Sequence, residues 1–286
     1  MKIALHWLQK GLLLFFTLIV FLFIYVPVAW LVISSISTRA DLLAIPLRWI
    51  PSHPSLQNYL DILVPGTAVS EVAATFKVTL MNSLLVASAT TLICLLAGSL
   101  AAYAMVRLKI PFQRLLFVGI LSTRMIPEIS LVIPLYIIAA RAGWINKPQV
   151  LIATYLSFAL PFAIWMLGAF FETVPYELED AARIDGANRL TTLFRVVLPV
   201  AAPGLVSTAI FTFLLAWDEF FFALIFTSTL AAKTVPVAIA EFTGRYAVDI
   251  TAMMTGGVLA ALPPVVLSLV FQRFIISGLT AGAVKG

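Results

Sequence analysis

The sequence predicts an all-α integral membrane protein with six transmembrane helices, both termini on the cytoplasmic side, and one helical hairpin on the cytoplasmic face. Three observations predict this. The 286 residues are 62% hydrophobic and only 11% charged, with a mean hydropathy of +1.07; a soluble domain carries about 25% charged residues. Apolar runs with few or no charges recur six times, each at least about 20 residues long and so able to cross a hydrocarbon core of about 30 Å. Between the fourth and fifth runs lies the longest strongly charged stretch, residues 173–203, TVPYELEDAARIDGANRLTTLFRVVLPVAAP.

The net charge of +5 fits Lys and Arg held on cytoplasmic loops and calls for no nucleic acid. The single cysteine, Cys94, can form no intrachain disulfide and reads as a small buried apolar residue. His6 and His53 stand apart, without a Cys/His pattern, so no metal site is expected.

Taken in order, the first span covers about residues 11–36. Its apolar run outlasts the roughly 7–15 residues of a secretory h-region, and no clear A-x-A site follows, so it reads as an uncleaved span. Residues 39–77 are mixed and polar and form an extramembrane loop, with Trp49 and Tyr59 suited to the membrane–water interface. Span two is 78–106, and Arg107, Lys109 and Arg114 then cluster around Pro111. Span three, 115–140, contains Arg124 and Glu128; four apart on one helix, they share a face and can pair. Pro127 and Pro134 make it prone to kinking. Span four is 149–171, span five 200–227 and span six 250–272, followed by a tail over 273–286. The whole chain reads as one transmembrane domain without internal repeats.

With the N-terminus inside, the cytoplasmic set of cations is Lys2, Lys10, Arg107, Lys109, Arg114, Arg183, Arg189, Arg195, Arg273 and Lys285. The opposite side carries Arg39, Arg48, Lys77, Arg141, Lys147, Lys233 and Arg245. The short loops of the first set hold their charge densely, which sets the orientation as N-in, C-in.

Within the charged stretch, Thr173 is a plausible N-cap and Pro175 a good first helical residue. Glu177, Glu179 and Asp180 fall where the helix dipole favours negative charge, and Gly186 is a natural stop. A second short helix can run from Arg189 to Val197 before Pro199 opens the next span. Spacing alone leaves two readings open: a hairpin that docks a partner, or an amphipathic hairpin resting on the membrane surface.

The run Asp180-Ala181-Ala182, then Asp185-Gly186-Ala187, then nine residues after Gly186 to Val196, then Leu198-Pro199, resembles the EAA loop of ABC importer permeases. Asp180 replaces the usual Glu and Val196 the usual Ile; both keep charge or shape. Trp49-Ile50-Pro51, Asn58-Tyr59, Ile133-Pro134-Leu135-Tyr136 and Trp217-Asp218-Glu219-Phe220 are similar to carbohydrate importer permeases, and residues 278–286 resemble the ending of maltose-type subunits. The resemblance implies a multi-pass cell-membrane subunit of a sugar importer. It implies that Glu179, Asp180, Ala181, Ala182, Asp185, Gly186, Ala187, Leu198 and Pro199 form the contact with an ATPase subunit. It further implies that a tail including Gly278, Leu279, Thr280 and Lys285 reaches the ATPase dimer. The implied partners are a second permease, two ATP-binding subunits and an extracellular solute-binding protein. ATP and Mg would sit on the ATPase subunits, and no cofactor on this chain, which has no G-x-x-x-x-G-K-[ST] run.

The translocation path is expected near Arg124, Glu128, Trp217, Asp218 and Glu219. The competing readings there are an interfacial position for Asp218 and Glu219, or an ion pair with Arg124; Phe220, Phe221 and Phe222 read as lipid- or helix-facing. Two other functions compete: a proton-coupled transporter with Glu128, Asp218 and Glu219 as relay, and an ABC importer of a glycerol phosphate or polyol. A third reading, a membrane-embedded enzyme, is disfavoured because the sequence offers no nucleophile–His pair, no HExxH run and no metal cluster.

Overall fold

A computed structural model describes residues 2–64, 71–108, 110–242 and 249–281. The helices in chain order are α1 (Lys2–Ser35), α2 (Arg39–Leu42), α3 (Gln57–Leu63), α4 (Glu71–Arg107), α5 (Gln113–Ser122), α6 (Glu128–Arg141) and α7 (Pro148–Glu172). They continue with α8 (Tyr176–Ile184), α9 (Arg189–Thr192), α10 (Leu198–Val200), α11 (Ala202–Trp217), α12 (Phe221–Phe226), α13 (Val235–Glu241) and α14 (Ile250–Ala281). Among the described residues there is no strand.

Four helices, within α1, α4, α7 and α14, are long and apolar enough to cross a bilayer; two bent pairs bring the number to six if each is one span. The third span breaks at Pro127, one of the two prolines expected to kink it, and the fifth, expected over 200–227, is interrupted at Ala201 and after Trp217. Pro127 has no N–H to give and pushes Ile126 into an extended conformation (φ −73°, ψ 123°). The helix therefore ends in a 3-10 turn over Thr123–Met125, and α6 leaves at 92° to the segment before it. Ahead of the fifth span, Leu193–Val197 widens into a π-helical turn just before Pro199, and after the break at Ala201 α11 departs at 83°. That span breaks again after Trp217, where Asp218, Glu219 and Phe220 interrupt the helix before α12.

The chain divides into two compact units, Met1–Lys77 with Ile239–Ala261, and Val78–Ala238 with Leu262–Gly286. In the first, the most apolar window of α1 is wholly unburied, as suits a helix bathed in lipid. Its C-terminal end is pinned: Asn58 donates to the Ser35 carbonyl at 2.8 Å, and the Ser35 and Tyr59 hydroxyls share a 2.7 Å hydrogen bond. The loop after α1 folds around Asp41, which is buried. Its carboxylate accepts from Ser52 at 2.6 Å and from Thr38 at 2.8 Å, and those hydroxyls, Ser52 first, hold its pKa down at about 2.

In the second unit α7 is the central helix. Gly98 of α4 lets Ala163 and Leu167 approach, and Cys94 packs beside Ala159 and Ala163 as expected. Gly204 at the start of α11 lies under the Phe170 ring; a Cβ there would fall 2.1 Å from Cγ of Phe170, so only glycine fits. A buried cluster of Tyr103, Leu167, Phe171, Val174, Leu193 and Val197 fastens the hairpin region to α4 and α7. The backbone at Gly278, Leu279 and Thr280, expected in the tail, is helical as the end of α14. Their side chains, and all of Lys109, Arg245 and Lys285, lie outside the described residues.

Candidate functional site

Two places in the second unit concentrate polar chemistry in an apolar protein. The first is the hairpin. α7 ends at Glu172, and Thr173 turns its hydroxyl back onto the Phe170 carbonyl at 2.7 Å. Thr173 therefore closes α7 instead of capping the next helix; Pro175 stands at the N-cap of α8, and no side chain caps there. Gly186 has φ +87°, and the bonds Ala187 N–H to Ala182 C=O (2.9 Å) and Gly186 N–H to Arg183 C=O (3.0 Å) form a Schellman stop. Asn188, which the sequence reading passed over, caps the second helix: its side-chain oxygen accepts from the Thr191 N–H at 2.9 Å.

The surface this builds is mixed. Asp180 is exposed and pairs with Arg183 at 3.2 Å, and Ala181, Asp185 and Gly186 are exposed beside them. Ala182 and Ala187 are half-buried. Apolar side chains stand out among the charges, Ile184 (87% exposed) above all, with Leu190 and Phe194 on the second helix and Tyr176 and Leu178 on the first. Sequence reasoning missed them, although apolar residues interrupting a charged stretch with no apolar face to pack on were the available signal. Two predicted contact residues face inward. Leu198 packs on the buried cluster, and Glu179 is buried in an ion pair with Arg107 at 2.5 Å. Pro199 is exposed within α10, two residues before the bend at Ala201.

The second place is a cavity of about 530 Å3, formed where the third and fifth spans break. Arg124, Glu128, Asp218 and Glu219 line it, with Phe158, Phe211 and Phe220–Phe222. The breaks explain why charges gather here: each interrupts a helix and leaves its neighbours outside regular packing. The expected i,i+4 pair of Arg124 and Glu128 is not formed, because Pro127 separates them into two elements. Arg124 instead lies 5.4 Å over the Phe162 ring, and Glu128 opens the first turn of α6, where the helix dipole favours it. Nor does Arg124 pair with Asp218 or Glu219 among the described residues.

Glu219 has a defined task. Its two oxygens accept from the Phe222 N–H at 2.7 Å and the Ala223 N–H at 3.1 Å, so it caps α12. Asp218 is exposed at the end of α11. Trp217 departs from the expected path: it is 3% exposed, stacked on Phe213 with centroids 5.6 Å apart, and is not among the residues lining the cavity. Phe220–Phe222 were expected to face lipid or helix, yet all three belong to the cavity wall. Among the described residues, no three His, Cys, Asp or Glu side chains converge as metal ligands.

Comparison with known proteins adds the context of this geometry. The profile of the family described as "Binding-protein-dependent transport system inner membrane component" matches residues 94–280. The chain is 38% identical to the trehalose/maltose transport system permease protein MalG of Thermococcus litoralis, over 91% of each chain. It is 40% identical to the trehalose transport system permease protein SugB of Mycobacterium tuberculosis, over 91% of this chain and 92% of that one. Among solved structures, a bacterial ABC transporter involved in the import of the acidic polysaccharide alginate superposes with a TM-score of 0.77 at 18% identity, covering 94% of this chain and 96% of that one. The last likeness concerns the fold alone.

Proposed function

The chain belongs to the family of binding-protein-dependent transport system inner membrane components, and from that premise we propose that it is the permease subunit through which an ATP-driven importer moves a sugar. It is a multi-pass protein of the cell membrane and a component of a transport system. The observation that carries the mechanism is the hairpin: a capped, stopped pair of helices that presents Ile184, Leu190 and Phe194 among charges and continues directly into α7 and, through α10, into α11. Apolar knobs ringed by charge suit a protein cleft, with the charges fixing orientation.

In this reading a separate ATPase dimer holds ATP and Mg, and no cofactor sits on this chain. Closure of the dimer pushes residues 175–198, and the bend at Ala201 turns that push into a tilt of α11. A second permease completes the pathway, and an extracellular binding protein delivers the solute. The tail from Gly278 onward, Lys285 included, adds a contact to the ATPase subunits. The solute passes the cavity at the two breaks, where phenylalanine faces and exposed Arg124, Glu128 and Asp218 offer the stacking and hydrogen bonds that a neutral, hydroxyl-rich molecule needs. The named transport systems of the relatives favour a trehalose- or maltose-like disaccharide.

The proton-coupled alternative is disfavoured by one observation: both oxygens of Glu219 are committed to backbone N–H groups, which a proton relay cannot afford to lose. A phosphate ester is disfavoured by three carboxylates facing one guanidinium. The testing experiment is Gly186→Asp. No L-residue sits easily at φ +87°, so the stop unwinds while the spans are untouched. The variant is expected to insert normally and to lose both copurification with the ATPase subunits and ATP hydrolysis stimulated by loaded binding protein. If both persist unchanged, the docking assignment is wrong.

A further inference from the structure

Chain continuity ties the hairpin to α7 and α11 only. A third connection is made by one side chain. Arg107 is the last residue of α4, and its side chain is 1% exposed. Its Nη2 donates to the Phe171 carbonyl at 2.8 Å and to the Val174 carbonyl at 2.5 Å. These carbonyls lie at the end of α7 and in the turn beyond it, where helical partners run out. Its Nε lies 2.5 Å from Oε1 of Glu179 on α8, and that carboxyl's other oxygen accepts from the Tyr103 hydroxyl at 2.9 Å. The guanidinium plane also sits 3.9 Å from the Tyr176 ring centroid. One residue thus holds the end of α4, the end of α7 and the first turn of α8.

We propose that Arg107 is a positioning residue that makes α4 move with the hairpin, so that the ATP-driven stroke reaches the second span as well as the two helices continuous with it. The inference rests on the docking reading above. Its physical basis is the stiffness of a buried ion pair: separating the partners strands each charge in a medium that cannot solvate it. α8 therefore cannot rotate away from α4 without a large cost, whereas an apolar contact would slide. The carbonyl contacts add direction, because a fork of fixed geometry reaches Phe171, Val174 and Glu179 together. A lysine ammonium, one nitrogen on a flexible stem, cannot span all three.

The test uses the whole importer, with second permease, ATPase subunits and binding protein, in proteoliposomes. Arg107→Lys is expected to assemble and to hydrolyse ATP, while radiolabelled trehalose carried per ATP falls about tenfold. Tyr103→Phe removes one hydrogen bond and leaves the ion pair, and is expected to give a smaller loss in the same ratio. A second readout needs no solute. Nitroxide labels on cysteines at Leu100 and Thr173, both exposed, report α4 against the root of the hairpin; Cys94 is fully buried and stays unlabelled. ATP is expected to leave that distance unchanged in the parent and to lengthen it in Arg107→Lys. An unchanged carried-per-ATP ratio in both variants, or a parent distance that already changes with ATP, overturns the proposal. If Arg107→Lys fails to assemble, Tyr103→Phe and the parent distance decide. Loss of ATPase copurification in the parent itself would overturn the docking reading instead.

Discussion

The hairpin end and the cavity end of the second unit are both built on broken helices, and both carry charge, but they treat it in opposite ways. At the hairpin the most consequential charges are locked away: Arg107 and Glu179 are buried against each other, and the exposed charges frame apolar knobs. At the cavity the charges stay open: Arg124, Glu128 and Asp218 are exposed and unpaired among the described residues. Only Glu219 is committed there, to its own backbone. The difference teaches that a charge in a membrane protein has two stable uses. Buried and paired, it is a joint. Exposed to an aqueous cavity, it is available to a solute.

Three substitutions test that contrast, in descending order of effect. Glu179→Ala leaves the Arg107 guanidinium buried without its counter-ion, and should cost about 3–5 kcal/mol in thermal melts of the purified protein in detergent. A loss no larger than that of a surface substitution would mean that the joint is wet. Glu219→Ala removes two acceptors from the start of α12, with an expected cost of about 0.5–2 kcal/mol. Hydrogen exchange should quicken at the Phe222 and Ala223 amides, and unchanged protection there would remove Glu219 from the capping role. Asp218→Asn should change stability by no more than about 0.5 kcal/mol, because the side chain is exposed. Trehalose uptake by the assembled importer should nevertheless fall. A strongly lowered melting temperature with normal uptake would reverse the contrast at this residue.

Much of the hairpin was legible beforehand because its signals are local. The stop at Gly186 depends on one dihedral that glycine alone adopts easily, and the spacing of Ala182, Gly186 and Pro199 sits within one short stretch. The cavity was less legible. Its wall comes from five elements, and the residues that meet there are separated by up to 99 positions between Thr123 and Phe222. The Arg124–Glu128 pair failed because a periodicity argument assumes a continuous helix, and Pro127 removes that premise. Trp217 and Phe220–Phe222 exchanged roles for a related reason: once the helix breaks at Asp218, the period of 3.6 no longer sets which side chain faces where.

The sequence by itself determined the membrane class, the run of apolar segments, the place of the hairpin and its stop, because hydropathy and glycine or proline stereochemistry act over a few residues. Only the tertiary structure decided that Glu179 faces inward and that Arg107 receives it. Only packing showed that Leu198 is partly buried against the cluster and that Ile184, Leu190 and Phe194 stand exposed on the hairpin. The reason is that burial belongs to the surroundings of a residue, not to the residue. Glu179 and Asp180 are adjacent carboxylates in one motif, and the side of α8 that meets α4 makes one a joint and leaves the other at the surface.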